Sequence, residues 1–165
     1  MSRVAGTVKI GIAELEIVKH DTLIRTSGLG SCVGLVLYDR SSKIAGMAHI
    51  MLPDSTLSKE ASLNRAKYAD TAIDALVDKM IIEGVKKHRL LAKLAGGAQM
   101  FQFSTASDTM RIGPRNVESV KKRLSQLMIP VESEDTGGKS GRTIEFNPAT
   151  SLLHIRTVNK GESMI

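Results

Sequence analysis

Val33-Gly34-Leu35-Val36-Leu37-Tyr38-Asp39-Arg40-Ser41-Ser42-Lys43-Ile44-Ala45-Gly46-Met47-Ala48-His49-Ile50-Met51-Leu52 is the stretch that decides the fold. Val33–Tyr38 is apolar at nearly every position, the mark of a strand buried on both faces. Asp39–Lys43 is polar and turn-like, and a second apolar run, Ile44–Leu52, ends at Pro53. Two apolar runs joined by a short polar turn predict a β-hairpin. Upstream, Glu14–Val18 alternates polar and apolar residues, as a half-buried strand does, and Leu23–Thr26 is short and β-rich.

Downstream the period changes. Ala69, Ala72, Ile73, Leu76, Val77, Met80 and Ile81 share one helical face, and Gly84 stands where a C-cap belongs. Leu90–Leu94 reads as another buried strand, stopped by Gly96-Gly97. A second helix follows Pro114, with Val117, Val120, Leu124 and Leu127 on one face and Pro130 past its end. Val131–Glu134, Thr143–Phe146 and Leu152–Val158 are short strand candidates, with Gly137-Gly138 and Gly141 as turns. The pattern predicts one α/β domain over residues 1–165, with a strand-rich sheet or sheet pair covered by two helices and the last few residues as a tail.

At 165 residues the chain is long enough to bury a core without staples. With three Phe, two Tyr and no Trp, that core must be aliphatic. The single cysteine forbids an intrachain disulfide and fits a reducing, cytoplasmic setting. Met1–Gly11 lacks a long apolar run, so no signal peptide is expected. The longest uncharged stretch, Thr26–Tyr38, is too short and glycine-rich to insert in a membrane. The net charge is +6, with clusters at Lys86–Arg89 and Lys121–Arg123. Such runs are most often solvated faces, and no stacking aromatic accompanies them, so nucleic acid is not an expected partner.

Two glycine motifs fail. Gly28-Leu29-Gly30 has Val33 where a dinucleotide fingerprint needs glycine, and a strand follows instead of a helix. Gly138-Lys139-Ser140 has Ser133 where a phosphate-binding P-loop needs glycine. His20, His49, His88, His154 and Cys32 are scattered without metal-ligand spacing, so neither a metal nor another cofactor is expected.

One constellation survives. Cys32 ends the turn Gly28-Leu29-Gly30-Ser31, where two glycines let the backbone take unusual angles. Backbone N–H groups around Gly30 and Ser31 suit an oxyanion. A thiol needs a base near neutral pH. The hairpin returns His49 to the level of Cys32, and Thr26 ends the preceding strand with a hydroxyl that would orient an imidazole. A lone cysteine before an apolar strand also reads as a small buried hydrophobe, and Ala48-His49-Ile50 as a core histidine. The residues alone leave both readings open.

Gly28-Leu29-Gly30-Ser31-Cys32-Val33, followed by Met47-Ala48-His49-Ile50-Met51-Leu52-Pro53, resembles the CheD family. So do Lys67–Asp70, Lys93-Leu94-Ala95-Gly96-Gly97-Ala98-Gln99-Met100-Phe101, Ile112–Asn116 and Asp135–Gly138, in the family order. The resemblance implies a layered α/β sandwich with Cys32 as nucleophile, His49 as general base and Thr26 as the residue orienting it. It implies a protein-glutamine glutaminase that deamidates chemoreceptor glutamines, with action on receptor glutamyl methyl esters as well. The implied partners are the cytoplasmic helices of methyl-accepting chemoreceptors and the phosphatase CheC. Two rival readings are a non-catalytic docking module for those partners and an unrelated cysteine hydrolase of small amides. For docking, Gly97, Met100 and Phe101 are the candidate contact, either as a protruding apolar tip or as a buried turn.

Overall fold

A computed structural model describes residues 5–59, 61–99 and 111–165. Strand β4 (Val33–Asp39) is buried along its whole length because it has a neighbour at each edge and a layer on each face. It pairs antiparallel with β5 (Ile44–Ile50), from Val33↔Ile50 to Asp39↔Ile44, as the hairpin reading required. On its other edge it pairs antiparallel with β6 (Leu91–Gly96). Strands β2 (Leu15–Lys19) and β7 (Val131–Thr136) complete a mixed sheet ordered β2-β5-β4-β6-β7. The second sheet is ordered β1-β3-β8-β9-β10. It contains β1 (Gly6–Lys9), β3 (Thr22–Leu29), β8 (Arg142–Asn147), β9 (Leu152–Thr157) and β10 (Gly161–Met164).

Side-chain alternation along β4 divides the core in two. Val33, Leu35 and Leu37 face helices α1 (Ala69–Ile82) and α2 (Ile112–Gln126). Val36 and Tyr38 face Ile24, Ile144, Phe146 and Ile155 of the second sheet. The result is three layers of helices, sheet and sheet. Both helices lie on the outer face of the first sheet and neither covers the second. The second sheet therefore alternates: Ile144 and Phe146 point inward and are buried, while Thr143 and Glu145 remain half-exposed. Each fully buried aliphatic side chain contributes about 1.5–3 kcal/mol.

The α1 stripe is buried as its period predicts, except Ile81 in the last turn, which is 46% exposed. Gly84 stops the helix at φ 98°. Helix α2 begins two residues before Pro114, not after it. Proline is tolerated there because the first-turn N–H groups have no intrahelical acceptor. Two short edge strands, β1 and β10, add to the strands that the residue pattern predicts, since four residues carry little periodicity. The final residues, expected as a tail, form β10, and Ile165 exchanges backbone hydrogen bonds with Leu153. Lys93, on the β6 face between the sheets, fastens that end. Its Nζ donates to the carbonyls of Ser151 at 2.6 Å and Ile165 at 2.9 Å, so the buried charge is satisfied.

Candidate functional site

The chain crosses from the second sheet to the first between β3 and β4, and Gly30-Ser31-Cys32 is the crossing. Just before it, β3 carries a bulge: Thr26 pairs with Ile144 and Leu29 with Arg142, three residues against two. Gly28 takes φ 73° within the bulge. The extra residue lets both Thr26 and Leu29 point inward while Ser27 and Gly28 face solvent. A regular strand would not bury both residues.

His49 lies on β5 opposite Gly34 of β4, with its side chain on the face toward the second sheet. It is fully buried, and Cys32, on the same face, is 9% exposed. The two sheets approach closely at this seam. A Cβ on Gly34 would come 2.4 Å from Ile144 Cδ1 of the second sheet. That closeness allows Thr26 of one sheet to reach His49 of the other, with Oγ1 and Nδ1 2.7 Å apart.

The proton positions in this pair follow from valence. Thr26 Oγ1 donates its one hydrogen to the Ile10 carbonyl at 2.9 Å. It must therefore accept from His49, which places the imidazole proton on Nδ1 and leaves a lone pair on Nε2. Nε2 is buried and has no protein partner among the described residues. Burial holds the His49 pKa down to about 4, so the imidazole is neutral at neutral pH. Burial also raises the Cys32 pKa, partly opposed by the residue's own backbone N–H. Both groups are thus uncharged at rest, a thiol and a free base.

Three glycines pack a frame against the turn that carries Cys32. Gly97 N–H donates to the Cys32 carbonyl at 2.8 Å, and Ala98 N–H to the Gly30 carbonyl at 2.8 Å. A Cβ on Gly96 would lie 2.3 Å from the Cys32 carbonyl oxygen, one on Gly97 2.2 Å from Val117 Cγ2, and one on Gly113 2.2 Å from the Ala98 carbonyl oxygen. Gly97, expected in a contact loop, is therefore buried behind Cys32, because its backbone continues the β6 pairing into the turn. Met100 and Phe101 lie outside the described residues. Gly30 N–H is used within the turn, donating to the Gly28 carbonyl at 3.1 Å. The N–H groups of Ser31 and Cys32 donate to no backbone carbonyl among the described residues.

Two further residues hold the frame, Arg142 and Asn116, the second being the last residue of the Ile112–Asn116 motif. Arg142, 6% exposed, donates to the carbonyls of Gly137 at 3.0 Å and Gly96 at 3.3 Å. Asn116 of α2 is fully buried, and its Nδ2 donates to the carbonyls of Ser31 at 2.9 Å and Met51 at 3.0 Å. An asparagine on the apolar face of α2, one residue before Val117, is the signal that marks it. A cavity of about 500 Å³ between β1, β2 and the end of α1 is lined by residues including Val8, Ile17 and Ile82, and neither Cys32 nor His49 is among them. No three His, Cys, Asp or Glu side chains gather as a metal site among the described residues.

Fold and site together define a three-layer α/β protein with a thiol and an imidazole held at the seam of its two sheets. The chain belongs to the CheD family, since the family model for CheD chemotactic sensory transduction matches residues 51–157. That span begins just after His49, and relatives aligned over nearly the whole chain cover the remainder. The chemoreceptor glutamine deamidase CheD of Bacillus subtilis (strain 168) is 59% identical over 98% of this chain and 97% of its own. That of Halalkalibacterium halodurans is 61% identical over 96% of this chain and 98% of its own. The probable chemoreceptor glutamine deamidase CheD of Geobacillus kaustophilus is 62% identical over 93% of each chain. A solved structure, the Bacillus licheniformis hypothetical protein YfiH, aligns over 72% of this chain and 48% of that one at a TM-score of 0.46 and 15% identity, too distant to carry an argument. Among the described residues no helix is long and apolar enough to cross a membrane.

Proposed function

We propose that this protein deamidates glutamine side chains of chemoreceptors, with Cys32 as nucleophile, His49 as general base and Thr26 as the residue that orients the base. The observation that carries the reading is the Thr26–His49 hydrogen bond, which fixes the tautomer with Nε2 bare on the face that also holds Cys32. Cys32 Sγ attacks the carboxamide carbon as its proton passes to His49 Nε2. The resulting oxyanion is met by the N–H groups of Cys32 and Ser31, which are free of backbone acceptors among the described residues. The C–N bond then breaks, His49 returns the proton, and ammonia leaves a thioester. Water attacks the thioester carbon while His49 takes a proton from it. The C–S bond breaks, the thiol recovers that proton, and glutamate remains. A glutamyl methyl ester follows the same course with methanol as the leaving group.

The proposed setting is the cytoplasm, and the proposed partners are receptor cytoplasmic helices and CheC. A long, unbranched glutamine side chain suits a cysteine that is only 9% exposed. Relatives of similar length carry the deamidase name, which supports the substrate class. The test is incubation of the purified protein with receptor cytoplasmic fragments, followed by peptide mass spectrometry for amide-to-acid conversion. Unmodified glutamines after prolonged incubation, with the receptor fragment bound, would favour the docking reading instead. Turnover of free glutamine would favour a small-amide hydrolase.

A further inference from the structure

The Asn116 side chain reaches the backbone beside both Cys32 and His49. It projects from the first turns of α2 and is fully buried, and both of its donor contacts go to backbone carbonyls. The first, Ser31, immediately precedes Cys32. The second, Met51, lies two residues beyond His49 at the end of β5. An amide with two hydrogens can meet two carbonyls at once, which a hydroxyl cannot.

The Ser31 contact has a direct consequence for catalysis. The Ser31 carbonyl and the Cys32 N–H belong to one planar trans peptide, so they point in opposite directions. Holding the oxygen at 2.9 Å from Asn116 Nδ2 therefore fixes where the Cys32 N–H points. That N–H donates to no backbone carbonyl among the described residues and so remains open to an incoming oxygen. The carbonyl on the far side of Cys32 is held as well, by Gly97 N–H at 2.8 Å. Both peptide planes around the nucleophile are thus pinned, one by a strand extension and one by Asn116.

We infer that Asn116 is a positioning residue: by clamping the Ser31 and Met51 carbonyls it aims the Cys32 N–H at the reacting carbonyl and fixes the nucleophile turn against the end of the His49 strand. It touches no substrate atom itself. The inference rests on the proposed role of Cys32 and adds the device that shapes its oxyanion site. Val120 and Leu124, further along the same helix face, take no part in the clamp and pack into the aliphatic core.

Two reagents separate positioning from general stability. Attack of Cys32 on p-nitrophenyl acetate builds an oxyanion, whereas alkylation by iodoacetamide displaces iodide at a saturated carbon and builds none. The full chain is assayed with each reagent as wild type, Asn116→Ala, Asn116→Ser and Val120→Ala, with Cys32→Ala as the blank. The acylation-to-alkylation rate ratio should fall roughly 100-fold in Asn116→Ala, the scale of a lost or misdirected oxyanion donor. Asn116→Ser keeps one donor and should fall between wild type and alanine. Val120→Ala leaves both carbonyls clamped and should keep the wild-type ratio although its Tm drops. An unchanged ratio in folded Asn116→Ala, or an equal fall in Val120→Ala, overturns the inference. If Asn116→Ala does not fold, Asn116→Ser decides: a wild-type ratio there overturns it as well. Absence of receptor deamidation by the wild type would instead overturn the proposed function and leave this comparison standing.

Discussion

Thr26 and His49 are joined by a 2.7 Å hydrogen bond although they belong to different sheets. The hydroxyl also donates to the Ile10 carbonyl of the segment after β1, so three chain segments meet at one oxygen. The bond sets the imidazole tautomer and turns its bare nitrogen to the face shared with Cys32.

Replacing Thr26 by Val keeps the shape and removes that oxygen. Nδ1–H and the Ile10 carbonyl are then left unpaired, each at about 1–3 kcal/mol when buried. Deamidation should slow roughly 10- to 100-fold with KM little changed, and Thr26→Ser should restore most of it. Steady-state rates on a receptor fragment check this. Wild-type turnover in Thr26→Val would show that the hydroxyl does not orient the base.

Cys32→Ala should abolish deamidation while circular dichroism and Tm stay near wild type, since the thiol is only one small member of the inter-sheet core. Ser31→Ala removes a hydroxyl but keeps the backbone N–H, so measurable activity should remain. Activity in Cys32→Ala, or its loss only in Ser31→Ala, would move the nucleophile to Ser31. Removing the base by His49→Ala should cost roughly 10²–10⁴-fold in rate.

Acid should weaken the fold through His49. Burial disfavours the charged imidazole, so on acidification the unfolded chain takes up the proton near 6.5 and the folded chain only near about 4. The unfolded state binds more protons between those values, so stability falls as pH falls through that window and is fully present above it. The shift corresponds to about 3 kcal/mol at full extent. Thermal melts at pH 7.5 and pH 5 should therefore show wild type losing roughly 5 °C more than His49→Gln. Equal losses would mean that the imidazole already charges freely in the folded state.

Gly96→Ala should be among the most damaging single-methyl changes in the chain. Its φ is 106°, and the added Cβ would meet the Cys32 carbonyl oxygen at 2.3 Å, a backbone atom that cannot swing away. A loss of about 3 kcal/mol or more is expected. Gly6→Ala, where a Cβ meets nothing within 4 Å, is the matched control. Denaturant melts of both variants measure the difference.

Much of this molecule is legible in its residue pattern because local periodicity needs no tertiary information. The apolar run Val33–Tyr38, the polar turn after it and the run to Leu52 specify a buried hairpin. Its antiparallel register then brings His49 back to within two residues of Cys32's level. The stripes of α1 and α2 likewise follow from helical spacing. The glycines before Cys32 mark a turn whatever surrounds it.

What the sequence could not determine depends on contacts between elements distant along the chain. That both helices cover one sheet, and that Thr26 faces inward across a bulge, are set by how the two sheets close on each other. The His49 tautomer depends on a hydroxyl 23 residues away in the other sheet and on the carbonyl that fills its remaining bond. Asn116 reads locally as a polar residue on the core face of a helix. It becomes a clamp only when α2 docks, through Gly113 against Ala98, onto the turn that carries Cys32. A hydrogen bond needs both partners within about 3 Å, and only the packed layers set those separations.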